Sequence, residues 1–247
     1  MTDQSLRKLG VACGIIGPLL LTMYFATPVF VSWPSAGAPP DQLMQYAKTH
    51  EVIFYLGAWL QATGALLCVV FFLVLVQLAS AQRYLAGLIT IVAVALLLTV
   101  VVIEAAMLVA VPFGADNNDA ATVATTFALS NGVFVRVFPL APAPAVFAGI
   151  AAGLFRSRLL PLGFAWTALV IAALFELAGI AAIFSTAGLI LAIVMSIAQE
   201  LWIIAAAVGL GVVDRVAVVP TEKQSIRTDS VPHSALKREL SGRPSGT

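Results

Sequence analysis

The sequence predicts an all-α polytopic membrane fold, a bundle of six transmembrane helices followed by a disordered C-terminal tail, on three observations. Of the 247 residues, 61% are hydrophobic and only 10% charged, and mean hydropathy is +1.02, whereas a soluble domain carries about 25% charged residues. Six apolar runs each reach the roughly 20 residues that a helix needs to cross hydrocarbon. Finally, Arg7 and Lys8, then Arg83, then Arg156 and Arg158, then Arg215 occupy alternate connections, while the opposite connections set Lys48 against Asp41, Glu51, Asp116 and Asp119. The excess of cations on one side places both termini in the cytoplasm, with the plasma membrane as the expected location.

Residues 1–6 are expected as a short cytoplasmic N-terminus and 7–214 as the six-helix domain. The first helix is placed near 9–32. Arg7 and Lys8 give it a signal-peptide flank, but its apolar stretch is about twice a signal h-region, so it reads as a retained helix. Pro39, Pro40 and Asp41 then open a short surface helix over 42–50, with Asp41 as N-cap and Leu43, Met44 and Ala47 on its apolar side. The second to sixth helices are placed near 52–79, 85–112, 122–154, 159–184 and 187–213. Trp33, Tyr55 and Tyr84 suit the membrane interface. From 215 to 247 the chain turns to Pro, Ser, Thr and mixed charge, a composition that cannot bury enough apolar area to order itself.

Four ionisable side chains, Glu104, Arg136, Glu176 and Glu200, stand inside separate apolar runs. Charges in hydrocarbon are expensive, so they face the bundle interior, pair with one another and mark sites. At 1.5 Å per residue from the cytoplasmic arginine of each helix, Glu104 lies about 31 Å from Arg83, Arg136 about 30 Å from Arg156, Glu176 about 27 Å from Arg158 and Glu200 about 22 Å from Arg215. Gln61 comes to about 33 Å from Arg83 on the same rise. Five polar groups on five helices thus converge in depth on the outer half of the membrane. Small residues flank most of them: Gly57 and Gly64 at Gln61, Gly132 at Arg136, Ala172, Ala173 and Gly179 at Glu176, and Ser196 at Gln199 and Glu200. Such stripes line helix contacts in membranes. The expected site is a charge cluster of Arg136, Glu104, Glu176 and Glu200 with Gln61 and Gln199, in which Arg136 pairs with Glu176 or, second, Glu104.

Pro139, Pro142 and Pro144 follow Arg136 within the fourth run. Each lacks an N–H and clashes with the carbonyl four residues back, so the bonds to Val135, Phe138 and Leu140 are lost and the helix is expected to break. Interrupted helices either shape a bundle or mark binding sites in transporters.

No chemistry is signalled elsewhere. Cys13 and Cys68 lie in apolar runs without metal or redox spacing. His50 and His233 fall outside the runs, so no pair of membrane histidines stands ready to hold haem or zinc. There is no His-Glu-x-x-His and no Gly-rich phosphate loop. A net charge of +1 argues against nucleic acid. The expectation is a protein that is not an enzyme, with no metal and no cofactor, and with membrane lipids and a small-molecule ligand as its partners.

Several short motifs carry a resemblance. They are the opening from Arg7-Lys8-Leu9-Gly10 to Gly17-Pro18, the segment Asp41, Tyr46-Ala47 and His50, the Phe138-Pro139 pair, and Arg156 with Pro161 and Gly163 at the start of the fifth helix. On these motifs the chain, over about residues 7–213, resembles a group of actinobacterial integral membrane proteins similar to the DUF4386 family. The resemblance implies a six-helix fold and no activity or catalytic residues. Two functional readings follow from the residues themselves. One is binding or transport of a small anionic or amphipathic ligand in an outward-facing intramembrane cavity around Arg136. The alternative is a structural or partner-interaction protein whose buried charges only tie the helices together.

Overall fold

The computed structural model describes residues 2–35, 37–184 and 188–217. The chain forms eight α-helices, α1 (Asp3–Phe30), α2 (Pro40–Thr49), α3 (Glu51–Leu78), α4 (Leu85–Asp116), α5 (Ala120–Arg136), α6 (Pro142–Ser157), α7 (Leu162–Phe184) and α8 (Gly188–Ala217), and no strand among the described residues. Five helices are long and apolar enough to cross a membrane, over Asp3–Thr27, Glu51–Leu78, Leu85–Asp116, Leu162–Phe184 and Ile190–Val212. The tail expected over 215–247 lies, from 218 onward, outside the described residues; 215–217 continue α8.

Local chemistry sets several boundaries. Thr2 caps α1, its hydroxyl accepting from Ser5 N–H at 3.3 Å. The N-cap of α2 is Pro39 and not Asp41, which instead places its charge in the first turn, where an acidic side chain complements the helix dipole. Helix α4 runs through Pro112 to Asp116, a length of about 48 Å. Asp119 caps α5, accepting from the N–H groups of Ala121 and Thr122 at 3.1 Å and from the Thr122 hydroxyl. Those bonds, led by the hydroxyl, hold its carboxyl below the usual range.

The fourth apolar run is two helices of 17 and 16 residues, neither of which alone reaches the length of a spanning helix. The chain leaves helical geometry over 137–141 and resumes at Pro142, which occupies the first turn of α6, where its missing N–H costs nothing. One of the three carbonyls that proline deprives is served another way: the Phe138 carbonyl accepts from Ala143 N–H, five residues on, at 3.3 Å.

Close contacts give the topology. Gly10 faces Val74 and Leu210, and Gly14 faces Phe71 and Ala207, while Thr22 reaches Glu200. Helix α1 is therefore antiparallel to both α3 and α8. Phe155 against Trp166 and Phe147 against Phe175 pair α6 with α7, and Trp202 donates its indole N–H to Thr167 Oγ1 at 3.0 Å, pairing α7 with α8. With α4 packed on α3, α5 and α6, the helices close into a ring around a core that includes Phe72, Phe147, Phe175 and Trp202.

A second, separate apolar cluster lies toward α2. Leu43, Ala47, Phe54, Leu108, Val111, Val123 and Phe127 are buried there, and Trp33 fits between Phe54 and Phe127 at ring-centroid distances of 5.0 and 5.8 Å. Tyr46 fastens α2 by donating to the Val31 carbonyl at 2.9 Å. The outer surface of the ring exposes large apolar side chains such as Leu19, Trp59, Leu88, Val92, Trp166, Leu177 and Val208. Contiguous apolar surface of this kind marks a membrane or partner interface in place of water.

Candidate functional site

Faces of three helices carry interior polar groups. Gln61 on α3 shares its face with Gly57, Ala58 and Gly64, and Glu104 on α4 lies one turn from Val101 and Leu108, all buried. Ser196, Gln199 and Glu200 form the corresponding face of α8, with Ile203 next in line. Gln61, Glu104, Ser196, Gln199 and Glu200 are each at most 5% exposed.

Four of these five surround one space. Gln61, Glu104, Ser196 and Gln199 line a cavity of about 30 Å³ whose remaining wall is apolar, including Phe25, Cys68, Phe72, Phe134 and Phe138. A second cavity of about 100 Å³ lies toward Trp33 and is lined by Tyr24, Thr27, Ser130, Asn131 and Ile193. Glu104, Phe25 and Phe134 border both. The two rings stand 5.4 Å apart between centroids, and Phe134 stacks on Phe138 within the break. The interrupted fourth run thus supplies two of the aromatic walls.

The polar groups are incompletely satisfied. Glu104 Oε1 accepts from the Tyr24 hydroxyl at 3.2 Å and Glu200 Oε2 from the Thr22 hydroxyl at 2.7 Å. Gln61 Oε1, Gln199 Oε1, Ser196 Oγ and Glu200 Oε1 are buried without a hydrogen-bond partner. Each such orphan costs about 1–3 kcal/mol, so four in one layer is a large concentration of unspent polar capacity. On this measure a water molecule needs about 10–15 Å³. The smaller cavity holds roughly two waters, and neither cavity approaches the 300–1,000 Å³ typical of drug-sized ligands.

The expected charge cluster is therefore divided. Gln61, Glu104 and Gln199 come together, and Glu200 is buried beside them on α8. Arg136 and Glu176 do not join them: both are exposed, and Arg136 forms no ion pair with any of the three glutamates. For Glu176 the reason is helical phase, since it follows the fully buried Phe175 and so lies about 100° around the helix. For Arg136 it is position, because α5 ends there and a cation on the last turn complements the helix dipole. Pro139 and Pro142 are buried at the break, with Pro144 in the first turn of α6.

Tyr24 and Thr22 on α1, and Ser130 and Asn131 on α5, were not singled out by the sequence. A tyrosine flanked by threonines within the first apolar run was the available signal. The described residues hold no group of three or more His, Cys, Asp or Glu side chains placed for a metal ion. Comparison with protein-family models, with curated proteins and with solved structures gives no match.

Proposed function

We propose that the chain is a six-pass integral membrane protein of the plasma membrane, with both termini cytoplasmic, that binds or passes a small polar ligand in a chamber opening toward the α2 side. The observation that carries this reading is the layer of buried oxygens without partners around Glu104, at a level where two cavities meet. Six passages are supported by the antiparallel contact of the start of α1 with the end of α8, which requires an even number of crossings. Five long helices provide five, and α5 with α6 the sixth. The cations at Arg7, Lys8, Arg83, Arg156 and Arg158 support the orientation.

The ligand class differs from the anionic or amphipathic one that Arg136 suggested. With Arg136 outside and a carboxyl inside, no group lining either cavity attracts an anion, and volumes of about 30 and 100 Å³ are small for an amphipath. A solute that offers positive charge or hydrogen-bond donors fits.

The chamber is tested by thiol accessibility. In a background with Cys13 and Cys68 replaced by Ala, Ser130→Cys and Asn131→Cys are expected to react with a membrane-impermeant thiol reagent applied from outside, as is Thr49→Cys, whereas the outward-facing Val170→Cys is not. Reaction at Thr49→Cys with none at 130 or 131 would reject a chamber open to the outside, and reaction at Thr49→Cys only from the cytoplasmic side would reject the orientation.

A further inference from the structure

We infer that the smaller cavity is a binding site for a dehydrated alkali-metal cation, held by the Glu104 carboxylate, the side-chain carbonyls of Gln61 and Gln199 and the Ser196 hydroxyl. The inference rests on the proposed chamber, which would be the route of entry, and it names the occupant. All four side chains line the same space of about 30 Å³ and come from three different helices, α3, α4 and α8. Gln61 Oε1, Gln199 Oε1 and Ser196 Oγ are buried and lack partners. Gln61 also lies beside the Glu104 carboxylate; with its amide N–H₂ turned to that carboxylate, its carbonyl faces the void.

Chemistry narrows the occupant. The set is all oxygen, and hard oxygen ligands select alkali and alkaline-earth cations over zinc, copper or iron. One carboxylate borders the cavity, and neither cavity is lined by Lys, Arg or His, so a buried negative charge has no counter-charge from the protein. A single positive charge balances it; Mg²⁺ and Ca²⁺ would leave an excess, and Mg²⁺ retains several waters, more than about 30 Å³ can hold beside the ion. The roughly two waters that fit the cavity bring hydrogen-bond donors but no charge, so they leave the Glu104 carboxylate without a counter-charge. An alkali cation engages all four oxygens at once. The aromatic faces of Phe25, Phe72 and Phe134 around the cavity favour a cation further. The larger cavity, of about 100 Å³, has space for an ion that keeps part of its water until it reaches Glu104.

The test uses the purified full-length protein in detergent, unfolded thermally in sodium, lithium, potassium and N-methyl-D-glucamine chlorides at equal ionic strength and pH. At ten times Kd, an alkali cation is expected to raise Tm by about 3–6 °C over N-methyl-D-glucamine, and the order among the three metals identifies the preferred ion. Glu104→Gln is expected to abolish the rise. The double variant Gln61→Leu, Gln199→Leu is expected to be at least as stable as wild type in N-methyl-D-glucamine, because the orphaned carbonyls are gone, and to lose the cation response. Equal Tm in all four salts overturns the proposal, as does a rise that persists in the double variant or a response to pH alone, which would mark a proton site. Thiol labelling at Ser130→Cys and Asn131→Cys separates the two readings: labelling with flat Tm values rejects the cation and leaves the chamber, and neither signal rejects both.

Discussion

Between α1 and α3 and between α4 and α6 the backbones approach closely at Gly17, Gly64 and Gly149, with rings such as Phe72 and Phe147 packed beside them, whereas toward α2 the contacts are made by Tyr24, Phe25, Trp33, Phe54, Phe127 and Phe134. Gly17 lies so close to α3 that a Cβ would stand 2.9 Å from the Gly64 carbonyl oxygen, and one at Gly149 would collide with Thr90 on α4. Backbones in contact leave little space: the cavity lined by Gly149 and Gly153 measures only about 10 Å³. Aromatic side chains hold helices apart, and rigid rings cannot fill every gap they open, so the cavities of about 30 and 100 Å³ beside Glu104 occur there. Similar apolar content thus gives close backbone contact in one region and cavities in the other, according to the size of the side chains at the contacts.

The largest effect expected from breaking this contrast is at the close backbone contacts. Gly17→Leu and Gly149→Leu force backbones apart, and each is expected to cost at least about 1–3 kcal/mol. Ser130→Val, on the wall of the larger cavity, is expected to cost less than about 1 kcal/mol. Thermal unfolding and yield in detergent compare the three, and equal losses would dissolve the distinction. A middle-sized effect belongs to the hydroxyls that reach the buried carboxylates. Interhelical polar contacts in membranes average about 0.6 kcal/mol and reach about 1.7. Thr22→Val, removing the 2.7 Å bond to Glu200, is expected to cost more than Tyr24→Phe, which removes the 3.2 Å bond to Glu104. Double-mutant cycles with Glu200→Gln and Glu104→Gln measure both, and the reverse order would show that the bonds are not what orders the layer.

The smallest effect lies at the α4–α5 turn. The Asp119 carboxyl is lowered by its hydrogen bonds in the folded state, so its contribution is present above the ordinary carboxylate pKa of about 3.9 and is lost as pH falls through the folded value. Asp119→Asn keeps a capping side chain and is expected to lower Tm slightly at neutral pH, with the difference vanishing in acid. An unchanged difference between pH 7 and pH 2 would show that the charge contributes nothing.

Depth was legible in the sequence and azimuth was not. Counting residues from the arginines at the helix ends set Gln61, Glu104 and Glu200 at similar depth, because helical rise is constant, and Gln61 and Glu104 do line one cavity. Which side of a helix faces inward depends on phase. In a chain this rich in Gly and Ala, small residues occur on every face, so Ala172, Ala173 and Gly179 did not distinguish the inside of α7 from its edge, and Glu176 falls on the edge. The three prolines after Arg136 carried a physical reason for a break, but whether Arg136 would turn inward depended on where α5 stopped. Tyr24 escaped because an aromatic in an apolar run reads as packing until a carboxylate is found opposite its hydroxyl.

The interruption at 137–141 also has a mechanical meaning. It falls where the chain passes from the cluster toward α2, to which Val123 and Phe127 of α5 belong, to the main core, to which Val146, Phe147 and Ile150 of α6 belong. A continuous helix would couple the two blocks as one stiff rod. A joint at that point makes α5 a lever of 17 residues, about 25 Å long, and a rotation of roughly 10° swings its far end by about 4 Å. Phe134 sits next to the fulcrum, so the same rotation moves it far less. Ser130 and Asn131, which line the larger cavity, lie about 8–9 Å from the joint, so the same rotation shifts that wall by only about 1.5 Å and leaves the aromatic wall beside Glu104 nearly in place.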